Sequence, residues 1–345
     1  MYVGKKVTRV DAYDKVIGRT RYTDDLCDKS AYVARIVHST IANGRVLSID
    51  TSEAEKIPGV VKIFTCFDLK EKHYYPTAGH PWSTDPSHQD VADRLVLTDR
   101  VRFYGDDIAA VVAEDEVAAA QALRALKVEY EEYPFVLDVQ EAMKDGAPQL
   151  HDDYPNNILK HTTIRKGNYE EAIKEPGLIK VEGWYSTPTV QHCHIENFIC
   201  YAEMESDRIK IVSSTQIPHI VRRVVGQALG IDWGKIRIIK PYIGGGFGNK
   251  QDVLYEPLCA WLCMQLNGHL IKLDVPREET FVSTRVRHAI KSHIISWVRP
   301  DGTFAARKLE AFSDQGAYAS HGHSICAKGV GAFPQLYPCD NVEAD

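Results

Sequence analysis

The chain has 345 residues, a formal net charge of −6, 44% hydrophobic residues and 26% charged residues. That length suits two or three domains with ample core. The mildly acidic balance argues against nucleic acid or an anionic membrane surface as partner, and no run reaches the ~18 apolar residues of a membrane span. The first residues, Met-Tyr-Val-Gly-Lys-Lys-Val-Thr, hold no apolar core and no cleavage site, so a cytoplasmic location is the default expectation.

In chain order, short apolar runs at 32–37 and 60–64 read as strands, the second entered through the turn Pro58-Gly59. A third run at 108–113 ends at Asp115, a suitable N-cap for an alanine-rich helix over 116–126. Residues 127–131 alternate as a strand, and Tyr133-Pro134 closes an α+β domain near residue 135. Residues 136–175 are polar, with Asp145-Gly146 and Tyr154-Pro-Asn-Asn157, and read as a long connection over the surface. From about 178 the pattern becomes strand, loop, helix, with strands at 179–185, 209–213, 236–240 and 271–275. Two further strands, 290–298 and 306–312, flank a turn at Pro300-Asp301-Gly302.

Two helices frame the centre of the chain. In the first, Ile217, Ile220, Val221, Val224, Val225, Ala228 and Leu229 fall on one face. Pro218 suits its first turn and Gly230 its stop. The second, over 253–266, is apolar nearly all round and should be buried; Pro257 delays its regular part by about a turn. The eight cysteines show no CxxC pair and no zinc or iron–sulfur spacing. Cys259 and Cys263, one turn apart in the second helix, read as core packing.

The most informative chemistry lies in two loops that follow strands. Ser213-Ser-Thr-Gln-Ile-Pro218 offers the Gln216 amide, which donates to one oxygen and accepts from another donor; a capping or solvent-facing role is the plainer reading. Gly244-Gly-Gly-Phe-Gly-Asn-Lys250 is neither a Walker loop nor a dinucleotide fingerprint. Three adjacent glycines exceed what a turn needs. A loop of backbone N–H groups before a helix favours an anionic or oxo-bearing group. Gln191-His-Cys-His-Ile-Glu196 puts two histidines at i, i+2, a weak metal pattern that reads more simply as satisfied buried histidines. His321-Gly-His323 is no stronger. Arg285, Arg287 and His288 read as a salt-bridged structural cluster. The adjacent carboxylates Asp24-Asp25, Asp106-Asp107 and Glu131-Glu132 point apart along an extended chain and make no acid/base pair.

These motifs together resemble the molybdenum-cofactor subunit of the xanthine dehydrogenase and aldehyde oxidase family. The stretch 14–25 with Ile57-Pro-Gly-Val-Val61 and 101–108 is similar to that family's α/β hammerhead domain. The 191–196, 213–218 and 244–250 motifs with Pro276-Arg-Glu-Glu279 resemble its first molybdopterin-binding domain. The implied fold class is α+β: a hammerhead-like domain over 1–135, a connecting segment over 136–177, and over 178–345 a molybdopterin-binding α+β domain expected to be incomplete at its C-terminus. The resemblance implies that Gln216 hydrogen-bonds an oxo ligand of molybdenum and that Gly245, Gly246 and Phe247 approach the metal's ligand sphere.

The implied activity is hydroxylation of a purine such as xanthine or hypoxanthine, with water as the oxygen source. Electrons would leave through [2Fe-2S] clusters to FAD on partner chains. The cofactor would be molybdenum–molybdopterin, as such or as its cytosine dinucleotide. Where many xanthine-oxidising members have glutamate, this chain has Gln251, a neutral substrate-contact candidate. The family's arginine and its glutamate general base lie beyond residue 345, so no catalytic base is expected in this chain. The C-terminal half of the molybdenum subunit, on the same or a separate chain, is then an expected partner, and this chain alone is expected to be inactive. Alternatives are an aldehyde or other N-heterocycle hydroxylase of the same family, or a non-catalytic truncated remnant.

Overall fold

The computed structural model describes residues 3–79 and 90–345; the first two residues of the N-terminal stretch read above lie outside them. Two short helices, α1 (Ala12–Val16) and α2 (Thr23–Leu26), precede β1 (Tyr32–His38), β2 (Gly44–Asp50), β3 (Val60–Thr65), β4 (Arg100–Val101) and β5 (Asp107–Ala113). Helix α3 (Glu116–Ala125) and β6 (Lys127–Glu132) follow, then α4 (Val139–Ala142), β7 (Ile164–Lys166) and α5 (Tyr169–Ala172). The rest runs β8 (Ile179–Thr187), β9 (Phe198–Glu205), β10 (Arg208–Ser213), α6 (Pro218–Leu229), β11 (Ile236–Ile239), α7 (Glu256–Gln265) and β12 (Ile271–Val275). It closes with α8 (Arg277–Ser283), β13 (Ala289–Val298), β14 (Phe304–Asp314), α9 (Gly322–Leu336) and β15 (Val342–Ala344).

Among the described residues the strands form three sheets, in the orders β11-β10-β9-β12-β1-β5-β3, β7-β15-β14-β13-β8 and β4-β2-β6. In the largest, β1 runs parallel to β12, so strands from before residue 135 and after residue 178 share one sheet. Strands β10 and β11 are also parallel neighbours. Parallel neighbours need a crossover, and α6 provides it. Val221, Val224, Val225 and Ala228 of α6 are buried, and Gly230 stops the helix at φ 65°. Helix α7 lies beside α6 with Leu258, Cys259, Leu262 and Cys263 buried, which is what its all-round apolar pattern requires. All eight cysteines are unpaired. Asp115 caps α3 by accepting the Ala118 N–H at 2.8 Å.

Several expectations need correction. The stretch 136–175 is not a bare connection: β7 pairs antiparallel with β15 and α5 buries Tyr169. Elements of three or four residues are too short to show a period. Residues 191–194 carry no strand, so His192 and His194 are not arranged as strand neighbours. Strands β2 and β9 and helix α9 have no counterpart in the pattern reading. Gly329, Gly331 and Pro334 disguise α9 as a loop; its Val330 and Phe333 nonetheless pack on Leu309, Val342 and Ala344. The segment before β7 also walls a cavity of ≈ 630 Å³, lined in part by Phe103, Phe135, Leu137, Met143, Leu159 and Phe312. Among the described residues no helix is long and apolar enough to cross a membrane.

A charged network ties β1 to α8. His38 lies 3.0 Å from Asp107 and 3.4 Å from Glu279, and Arg35 holds Glu279 at 2.7 Å. Burial opposes a charge on His38, but the two carboxylates prevail and raise its pKa to about 9. The folded value lies above the unfolded one of ~6.5. The contribution to stability is therefore complete below that unfolded value and lost as pH rises through about 9. The urea midpoint should fall across this window, and His38→Gln should flatten the fall. An equally steep fall in the variant would show that His38 is not its source.

Candidate functional site

Both candidate loops leave the carboxyl ends of β10 and β11, adjacent parallel strands, and so lie side by side. The backbone joins them directly: the Gln216 N–H donates to the Lys250 carbonyl at 2.9 Å. Gln216 is neither a cap nor a free surface residue. Its Oε1 accepts the Gly248 N–H at 3.1 Å. A backbone N–H can only donate, so this bond assigns the amide: oxygen faces the loop and the Nε2 donor faces away from it. Among the described residues no protein acceptor takes that donor.

The glycines make this contact possible. Gly246 is buried, and a Cβ there would sit 2.5 Å from Gln216 Oε1. Gly245 adopts φ 104°, which an L side chain rarely takes. Phe247 also has positive φ, 51°, and stands 75% exposed. A left-handed conformation costs a non-glycine residue about 1–2 kcal/mol, and such strain persists only where the surroundings hold it. The regular part of the helix after the loop is delayed by about a turn, as Pro257 predicts. A single 3-10 turn at Asn249–Gln251 intervenes, and α7 begins at Glu256. Gln251 stands exposed on the same turn, beside Gly248.

Beneath the loop lies a layer that local pattern did not reveal. Lys250 is fully buried and pairs with Glu196 at 2.7 Å. Burial lowers its pKa, and the Glu196 carboxylate works against that shift. The same Glu196 Oε2 accepts the Gly244 N–H at 2.8 Å, while Glu196 Oε1 is buried without a partner. His194, fully buried, directs Nδ1 to the Glu196 carbonyl, and Asn249 Nδ2 approaches its Nε2 at 3.2 Å. Burial lowers the His194 pKa, which fits a neutral ring donating from Nδ1 and accepting at Nε2. Asn249 Nδ2 also reaches Gln191 Oε1 and Thr284 Oγ1 at 3.1 Å each. Arg285 holds the Gly248 carbonyl at 3.3 Å and Asp252 at 3.2 Å, the structural role expected of it. Among the described residues no cluster of three or more His, Cys, Asp or Glu side chains could hold a metal ion directly.

The residues suit a bulky oxo-bearing group that brings its own metal ligands. They offer an outward amide donor and a half-buried, side-chain-poor backbone, kept close to Gln216 by the missing Cβ of Gly246. Asp106 and Asp107 contribute nothing here: the first accepts from Tyr318 and the second faces His38.

Comparison with known proteins agrees with this chemistry. A family model of the molybdopterin cofactor-binding domain matches residues 150–345. One of the aldehyde oxidase and xanthine dehydrogenase a/b hammerhead domain matches residues 17–134. The chain is 46% identical to the xanthine dehydrogenase molybdenum-binding subunit of Escherichia coli O157:H7, over 96% of this chain and 44% of that subunit. It is 30% identical to the nicotinate dehydrogenase large molybdopterin subunit of Eubacterium barkeri, over 99% of this chain and 77% of that one. Its fold matches the aldehyde oxidoreductase of Desulfovibrio gigas with a TM-score of 0.90 and 27% identity, over 99% of this chain and 38% of that protein. The chain thus spans less than half the length of the E. coli subunit. With the outward-facing amide, the glycine loop and both domain matches in agreement, this chain belongs to the aldehyde oxidase and xanthine dehydrogenase family of molybdopterin-binding oxidoreductases.

Proposed function

We propose that this chain forms one wall of the cofactor site of a molybdenum hydroxylase acting on purines such as xanthine or hypoxanthine, with water as oxygen source. The observation that carries the reading is the Gln216 amide, oriented by the Gly248 N–H so that its donor faces outward beside a glycine loop that exposes Phe247. When bound, a molybdenum–molybdopterin cofactor, as such or as the cytosine dinucleotide, supplies the two-electron oxidation. The protein's part is positional. Gln216 Nε2 would donate to an oxo ligand, and the Gly245–Gly246–Phe247 backbone would face the cofactor, with no side chain at either glycine. Gln251 hydrogen-bonds the substrate ring as a neutral amide. Among the described residues at this site no carboxylate is exposed and poised as a general base; Glu196 Oε2 is tied to Lys250 and to Gly244, and its Oε1 is buried.

The base is accordingly assigned to a polypeptide corresponding to the part of the E. coli subunit that this chain does not match. The [2Fe-2S] and FAD centres are assigned to further subunits. Phe247 at 75% and Ile195 at 94% exposure, with the open apolar cavity, support packing against such a partner. A second reading, hydroxylation of another N-heterocycle or an aldehyde, is favoured by the lack of charge at Gln251. The test is to purify the chain with the products of neighbouring genes, measure molybdenum by elemental analysis, and assay xanthine, hypoxanthine, nicotinate and benzaldehyde. Stoichiometric molybdenum with purine turnover in the complex, and none with the chain alone, is expected. A complete complex without molybdenum would defeat the reading. Turnover of nicotinate or benzaldehyde alone would transfer it to the second.

A further inference from the structure

The loop 244–250 begins and ends on one atom. Glu196 Oε2 accepts the Gly244 N–H at 2.8 Å, where the loop starts, and the Lys250 ammonium at 2.7 Å, where it finishes. Glu196 answers with its own N–H to the Gly244 carbonyl at 3.1 Å. The Lys250 carbonyl in turn receives the Gln216 N–H. Between these ties the backbone turns through Gly245, Phe247 and Gly248, all at positive φ. A buried ion pair is a poor source of stability, since desolvating both charges offsets most of their attraction, and well-packed apolar residues often serve as well. A buried pair at the root of a strained loop therefore invites a reason other than stability. Glu196 lies 54 residues from Lys250, so no local turn requires the contact.

We propose that Glu196 and Lys250 are positioning residues: their ion pair clamps the two ends of the glycine loop, and so fixes the Gly248 N–H that orients the Gln216 amide and the backbone that receives the cofactor. This rests on the cofactor site proposed above, and deepens it by assigning what holds the site in shape. Neither side chain touches the cofactor in this role. Lys250 has no exposed surface, and Glu196 acts through Gly244 and Lys250.

The discriminating variant removes both charges together, Glu196→Leu with Lys250→Met, because the pair can be replaced without leaving a lone buried charge. Its melting temperature is expected to stay near that of the parent chain. Hydrogen exchange of the 244–251 amides, read by mass spectrometry on the full chain, is expected to accelerate by roughly tenfold or more. Molybdenum retained by the assembled enzyme should fall severalfold. Should that variant not fold, Glu196→Gln serves instead. It keeps a carbonyl for the Gly244 N–H but loses the charge facing Lys250, so exchange should accelerate at Gly248 and Gln251 more than at Gly244. Exchange as slow as in the parent chain, in either folded variant, overturns the clamp. Faster exchange with undiminished molybdenum overturns its role in positioning. A parent complex devoid of molybdenum would defeat the cofactor reading, while the exchange data would still decide the clamp.

Discussion

Replacing Gln216 by alanine should lower kcat of the assembled enzyme by about 10²–10³-fold, the usual cost of removing one preorganised donor from a site of developing charge. KM should change far less, since the proposed role has the donor address the cofactor's oxo group and not the substrate. The structure makes the expectation specific to the donor. Gln216 Oε1 is already used by the Gly248 N–H, so only Nε2 is free to act. Gln216→Glu would preserve the acceptor and abolish the donor, and should be no more active than the alanine variant. Gly246→Ala should have a similar effect by a different route. Its Cβ would come within 2.5 Å of Gln216 Oε1, and that flexible side-chain end can swing away. The amide then loses its orientation at little cost in stability. Steady-state kinetics on the three variants decides the matter: undiminished kcat in Gln216→Ala would remove the residue from the cofactor's surroundings.

Lys250→Met alone should destabilise the chain by about 3–5 kcal/mol, since it leaves the Glu196 carboxylate buried without its counter-charge. Glu196→Leu alone should cost a similar amount by stranding the ammonium. Both singles should therefore be far less stable than the double apolar variant, a non-additivity that reports direct coupling between neighbours. Urea denaturation of the four chains measures it. Single variants within about 1 kcal/mol of the parent chain, the range of ordinary surface substitutions, would mean that water reaches this pair after all.

Much of the framework was legible because its signals are local. The apolar face of α6 is written at helical spacing and ends at Gly230. The apolar circumference of α7 announces a helix packed on all sides. Strands β1, β3, β5 and β12 are short apolar runs between turn residues. By contrast β7, α4 and α5 are too short for any period to show, and α9 carries glycines and a proline that mask a helix held by its packing on β14 and β15. The glycine loop was visible as a composition and Pro257 signalled the late start of α7, but nothing in the order of residues shows the 3-10 turn that comes between.

The sequence by itself determined the residue types at the site: an amide after β10, three glycines and a phenylalanine after β11, and the family motifs around them. The tertiary structure alone decided what those residues do to one another. That β10 and β11 are parallel neighbours brings two loops some 30 residues apart in the chain, Gln216 and Gly248, to one hydrogen bond of 3.1 Å. That Glu196 and Lys250 meet in a buried layer turns a histidine-flanked acid and a loop lysine into one ion pair. The physical reason is the same for both. Periodicity and turn chemistry act over a few residues and can be read along the chain, whereas a hydrogen bond between distant loops depends on strand order and direction, which burial of the whole sheet selects.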